Sequence, residues 1–285
     1  MQQVPCFFPQ AEPEYGRPRF GLFFPSGEAD RGVILCGPFG KEFEIARTQM
    51  SHFGREVAAR GCAAFRFDYW GYGDSGGEFT EACVTTMAED VDRAIDELRR
   101  RAKITRVSLL GIRFGAAIAA VVAARRNDLD SLVLWAPTLK PWDYLYDGLH
   151  QTIAMQSLLF RDIKFVRDDI VANVLAGYPS LAGGYDLNCT DQGFPLGAPL
   201  LREVKELDLF SLSPKITAAT QLVHVCKQAE PPPKLATDFI EKLRAAGVPC
   251  RLDVVVEPTL PWMHEGIFAP RAPNLFEKTF AWLER

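Results

Sequence analysis

The sequence has no apolar run long enough to span a bilayer. Its most apolar stretch, Ala116–Ala124, falls well short of the roughly 20 residues a membrane-spanning helix needs. It also lacks a cationic opening followed by an apolar segment in Met1–Gln10, so no secretory signal peptide is expected. Charge of one sign is not in excess: 32 Lys and Arg stand against 36 Asp and Glu, for a formal net charge of −4. The charges are mixed along the chain, and no basic stripe marks a nucleic-acid surface. There is no dinucleotide fingerprint and no phosphate-binding glycine loop, so no cofactor is expected. Internal repeats and low-complexity tracts are absent too.

Cysteine is sparse and unpaired in pattern. Cys6, Cys36, Cys62, Cys83, Cys189, Cys226 and Cys250 make an odd set of seven whose spacing matches no zinc motif, so no metal is expected. Several lie inside apolar, strand-like runs, where cysteine acts as a small hydrophobe. A reducing cytoplasm is the expected location.

What remains is a chain of 285 residues, 48% hydrophobic, which suits one large α/β domain or one domain carrying an insertion. Twenty phenylalanines are present, and those near the start (Phe7, Phe8, Phe20, Phe23, Phe24) read as strand core. Val4–Phe8 and Arg19–Pro25 predict an antiparallel hairpin. Gly32–Gly37 is a short continuous apolar run, the form of a strand buried on both faces of a parallel sheet. Helical spacing follows over Glu44–Arg60, then a strand over Cys62–Phe67. An amphipathic helix is expected over Glu81–Arg101, a strand over Thr105–Gly111, a helix over Arg113–Arg125 and a strand over Ser131–Ala136. This alternation specifies a parallel sheet covered on both faces.

The alternation stops at Pro137. From Leu139 to Pro214 there are helical patches and a loop rich in glycine and proline, read as an inserted lid. It then resumes with strands over Thr220–Cys226 and Cys250–Val256 and helices over Lys234–Ala246 and Pro273–Arg285. The expected domains are a core of 1–138 and 215–285 with a lid of 139–214.

Three motifs fall in order at the carboxyl ends of strands, where open α/β sheets place their chemistry. They are GVILCGPFG (Gly32–Gly40), DYWGYGDSGG (Asp68–Gly77) and GIRFG (Gly111–Gly115). Together they resemble the α/β-hydrolase superfamily, in which G-x-S-x-G exposes a serine on a strained strand-to-helix elbow. The resemblance covers nearly the whole chain outside the lid. It implies a mostly parallel twisted sheet of about eight strands with helices on both faces. Within the superfamily the chain is similar to serine-aminopeptidase-like hydrolases. The initial FFP, the GPFGKEF loop, the elbow arginine and KELDLFSLSP resemble the second type of exosortase-associated hydrolase, found with bacterial exopolysaccharide and protein-sorting loci.

The resemblance assigns roles residue by residue. Arg113 takes the nucleophile position, and a permanently protonated guanidinium cannot accept an acyl group. The general base would be His264, not His52, His150 or His224. The acid would be Glu230, the one carboxylate in CKQAEPPPK. Oxyanion donors would be the backbone N–H groups of Phe114 and Phe39, since Pro38 has none. No other serine sits on an elbow: Ser75 is in a glycine-rich loop and Ser108 inside a strand. Cys36 and Cys226 end strands and are the candidate substitute nucleophiles, but neither sits on an elbow beside a helix amino terminus.

A cation at a helix amino terminus needs an anion nearby. Glu42, on the loop bordering the elbow, is the expected bidentate partner of Arg113, with Glu230 and Glu265 as alternatives. Two functions follow. One is an enzyme acting on an ester, thioester or amide without an acyl-serine: His264 activates water and Arg113 holds a substrate carboxylate or phosphate. The other is a non-catalytic binding or scaffold protein. Either would take a small acyl or carboxylate-bearing molecule. An Arg113 locked by a carboxylate favours the second.

Overall fold

The computed structural model describes residues 3–8, 18–27, 29–190, 193–263 and 271–285. The short apolar runs become strands, and those at the centre of the sheet are buried on both faces, as a parallel sheet covered by helices requires. They are β1 (Val4–Phe8), β2 (Arg19–Phe24), β3 (Arg31–Cys36), β4 (Ala63–Phe67), β5 (Arg106–Ile112) and β6 (Ser131–Trp135). After a long excursion come β9 (Ala219–Cys226) and β10 (Cys250–Val256). These form one eight-stranded sheet in the order β1-β2-β4-β3-β5-β6-β9-β10. β1 and β2 are an antiparallel hairpin, β2 meets β4 antiparallel, and every pairing from β4 to β10 is parallel.

Helices cover both faces. α2 (Val84–Ala102), α3 (Phe114–Arg125) and α8 (Lys234–Ala245) pack on one; α1 (Gly40–Ala59) and α9 (Pro273–Leu283) pack on the other. The second face is an aromatic cluster in which Phe53 of α1 lies 5.1 Å from Trp135 and 5.2 Å from Phe280. The buried indole N–H of Trp135 donates to Thr279 Oγ1 at 2.9 Å. Replacing Thr279 with Val keeps the shape and orphans that donor. The expected loss is about 1–2 kcal/mol in urea-unfolding free energy, and an unchanged midpoint would contradict it.

Two helix starts differ from expectation. α1 begins at Gly40, not Glu44, because Phe39 turns the chain through extended backbone with no side-chain cap to signal it. α2 begins at Val84, not Glu81, because Phe79–Glu81 forms a separate 3₁₀ turn; Glu78 caps it, and Glu81 accepts from Trp70 Nε1.

Between β6 and β9 the chain leaves the sheet. It forms α4 (Pro141–Phe160), α5 (Arg167–Ala176), a small hairpin of β7 (Leu181–Ala182) and β8 (Tyr185–Asp186), α6 (Ala198–Glu206) and α7 (Leu209–Leu212). The turn from α4 to α5 is organised by buried Gln156. Its amide donates to Phe165 O, and its carbonyl accepts from Lys164 N and Phe165 N.

Candidate active site

Arg113 is the single residue between β5 and α3, at φ 55° and ψ −118°. A side-chain-bearing residue in that region is strained by about 1–3 kcal/mol and persists only when its surroundings over-determine it. Three backbone hydrogen bonds do so: Arg113 N donates to Trp135 O at 3.0 Å, and Arg113 O accepts from Ala116 N at 3.1 Å and Thr138 N at 3.2 Å. The elbow is thus clamped to the end of β6. The two glycines of GIRFG are needed for closeness. A Cβ at Gly115 would lie 2.1 Å from Gly37 O, and one at Gly111 would lie 2.4 Å from Ala116 Cα.

The Arg113 side chain is held by several neighbours. Its Nε lies 3.1 Å from Glu42 Oε1 and 3.4 Å from Glu42 Oε2. One nitrogen is shared between two oxygens, so the contact is bifurcated and not the two-pronged pairing expected from the sequence. Nη1 donates to Ala136 O at 3.4 Å. The guanidinium carbon sits 5.5 Å from the Tyr144 ring centroid and 5.8 Å from that of Trp262, within cation–π range. Tyr144 in turn donates its hydroxyl to Glu42 Oε2 at 3.0 Å. Side-chain exposure is 27% for Arg113 and 21% for Glu42, so the pair is only partly shielded from water.

Glu42 sits in the first turn of α1, while Arg113 caps α3. Negative charge favours a helix amino terminus and positive charge disfavours it. Glu42 therefore complements both the dipole of its own helix and the guanidinium at the start of α3. Phe39 precedes α1 and Phe114 opens α3, and their rings lie 5.5 Å apart. Beside them a cavity of about 150 Å³ is lined by Phe39, Gly40, Glu42, Tyr144, Leu145 and Thr190, among others. That is below the 300–1,000 Å³ of ordinary small-molecule pockets.

Glu230 is engaged by His224, whose Nε2 lies 3.1 Å from Glu230 Oε1. His264 and Glu265 lie outside the described residues. His52 is on α1, its Nδ1 3.5 Å from Arg55 Nη1, and His150 is on α4. Ser75 is tied into the turn after β4: its hydroxyl donates to Asp68 O and accepts from Phe20 N at 2.9 Å. Ser108 is buried and accepts from Ser131 Oγ at 2.9 Å. Cys36 is fully buried, and burial pushes its thiol far above the ordinary range, away from the reactive thiolate.

Sequence reasoning missed two members of the site. Tyr144 comes from α4, whose position over the elbow has no local sequence signal. Trp262 follows β10, in the PWMHEG string two residues before His264, and that proximity was the available clue.

Residues 45–231 match the family model described as serine aminopeptidase, S33. No curated protein matches the sequence. Among solved structures, the chain is similar to the Est1E protein of Butyrivibrio proteoclasticus with bound ferulic acid, at 15% identity and a TM-score of 0.68, over 98% of each chain. It is similar to the α/β hydrolase GrgF of Penicillium sp. sh18, at 15% identity and a TM-score of 0.64, over 100% of this chain and 96% of that one. It is also similar to a Pyrococcus furiosus esterase, at 14% identity and a TM-score of 0.60, over 90% and 82%. At these identities the likeness is one of fold.

Proposed function

Because the chain belongs to the serine aminopeptidase S33 family, whose members resemble ester and amide hydrolases of the α/β-hydrolase fold, we propose that it keeps the hydrolase scaffold without acyl-serine chemistry and serves as a binding or scaffold protein. The observation that carries this reading is Arg113 on the elbow, bound to Glu42 and flanked by Tyr144 and Trp262. An arginine there cannot form an acyl intermediate. A guanidinium already neutralised by an internal carboxylate offers little to a substrate anion.

In this reading residues 139–214 are the lid, and Tyr144 is the lid residue that ties it to the elbow through Glu42. The molecule bound would be small and acyl- or carboxylate-bearing, and the resemblance to exosortase-associated hydrolases supports a setting near exopolysaccharide or protein-sorting systems.

A second reading has one observation in its favour. The backbone donors of Phe39 and Phe114 sit at two helix amino termini that meet at the elbow, and an oxyanion site of that kind does not depend on a serine. In that reading His264 activates water against an ester, thioester or amide, with Arg113 and Glu230 as supporting groups.

Fluorophosphonate labelling together with a panel of p-nitrophenyl esters separates the two. Silence on both from a cooperatively folded protein supports the binding role. Ester turnover that Phe39 and His264 variants diminish would replace it with the enzyme.

A further inference from the structure

Three side chains that the binding role leaves unused meet at the carboxyl end of β9. His224 and Cys226 are two residues apart on one strand, so their side chains leave the same face. Glu230 returns to them from the loop that follows. The His224 nitrogen, the Cys226 sulfur and a Glu230 carboxylate oxygen all lie within 4.8 Å of one another.

We propose that His224, Cys226 and Glu230 form a binding site for a zinc-class divalent cation, with one coordination position left open. Zinc holds nitrogen and oxygen ligands at about 2.0–2.1 Å and sulfur at about 2.3 Å. Tetrahedral angles then set the nitrogen and oxygen roughly 3.3 Å apart, and either of them roughly 3.6 Å from the sulfur. The observed separation of 3.1 Å between His224 Nε2 and Glu230 Oε1 is already close to the first value. Drawing the three donors in from within 4.8 Å needs only small side-chain rotations.

The chemistry of the donors selects the ion. A neutral imidazole, a thiolate and a carboxylate carry two negative charges and neutralise a divalent cation. Sulfur and nitrogen donors favour zinc-class ions over magnesium or calcium, which take oxygen. The setting is graded from rigid to mobile. Cys226 is 5% exposed and fixed in a parallel strand pair, while the Glu230 side chain is 59% exposed on a loop, which gives an entry path. The register of β10 with β9 sets Val254 beside His224 and Val256 beside Cys226. Paired residues share a face, so these two part-exposed valines flank the site on its open side. No zinc spacing appears in the sequence because the ligands follow a strand and its loop, not a Cys-x-x-Cys knuckle. The site stands whether or not Arg113 has a catalytic role.

Cobalt(II) titration of the full chain tests it. One equivalent is expected to bind, with a near-ultraviolet thiolate-to-cobalt band and visible bands of tetrahedral type, and zinc should displace it. Cys226→Ser is expected to lose the near-ultraviolet band. Glu230→Gln, on an exposed loop and harmless to folding, is expected to lower cobalt affinity about tenfold or more, since disturbing even a ligand's outer partner has that effect. Absence of the spectrum in the wild-type protein would overturn the proposal. So would a thiolate band that survives in Cys226→Ser, or wild-type affinity in Glu230→Gln.

Discussion

Wild-type protein is expected to form no fluorophosphonate adduct and to hydrolyse p-nitrophenyl esters no faster than a serine hydrolase stripped of its nucleophile. Removing a triad serine costs about 2 × 10⁶ in kcat, leaving roughly 10³–10⁴ over water from the oxyanion hole and binding. On the proposed reading the elbow starts from that stripped state, with Arg113 as the residue before α3. Ser75 and Ser108 do not rescue it: Ser75 has its hydroxyl committed to Asp68 O and Phe20 N, and Ser108 is buried against Ser131. Arg113→Ser rebuilds G-x-S-x-G, yet on the proposed assignment of Glu230 as the acid its support is compromised, because Glu230 pairs with His224. Loss of a triad acid alone costs about 3 × 10⁴. The Ser variant is therefore expected to stay at least about 10⁴-fold below an intact triad. The measurements are intact-mass labelling and steady-state ester turnover. Stoichiometric adduct on the wild-type chain, or triad-level turnover in the variant, would end the reading of a retired elbow.

The fold was legible because it is written in short-range pattern. GVILCG, CAAFRF and SLVLWA are mostly apolar runs between turn signals, too short for a helix and suited to a strand buried on both faces. The motifs at their ends located the elbow for the same reason: GIRFG needs both glycines where backbone meets backbone, at Gly37 O and Ala116 Cα. The site was less legible because its contacts cross long stretches of chain. Glu42 could be weighed as a partner of Arg113 because the loop after β3 borders the elbow in any sheet of this order. Tyr144 could not, since nothing in PWDYLYDG says which of its aromatic residues turns inward. Glu230 is the instructive case. A carboxylate after β9 suits a triad acid, but a histidine two strand positions before Cys226 reaches the same loop first. His224 lies inside a strand, and its side chain is 14% exposed there, within reach of the loop.

Breaking the elbow pair from its two ends is expected to give unequal results. Glu42→Ala removes the anion that serves Arg113 and the amino terminus of α1, and it deprives the Tyr144 hydroxyl of an acceptor. Breaking a fully buried pair costs about 3–5 kcal/mol; with exposures of 27% and 21% here, about 2–3 kcal/mol is expected. Arg113→Ala keeps the positive φ and leaves Glu42 alone at a helix amino terminus, where a negative charge is favoured, so a loss of no more than about 1 kcal/mol is expected. Arg113→Gly also releases the backbone strain of φ 55°, and it should be about 1 kcal/mol more stable than Arg113→Ala. The double variant Glu42→Ala with Arg113→Ala should lose less than the sum of the singles, with a coupling of about 1–2 kcal/mol, the scale of contacting residues in one ion-pair network. Urea unfolding of the wild type and the four variants at low and high salt gives every term. The coupling should shrink with salt, since the pair is partly exposed and screened. Additive losses, or a Glu42→Ala variant as stable as the wild type, would show that Arg113 does not depend on its internal carboxylate. The elbow arginine would then be a cation available to a ligand, and the enzyme reading would be the stronger one.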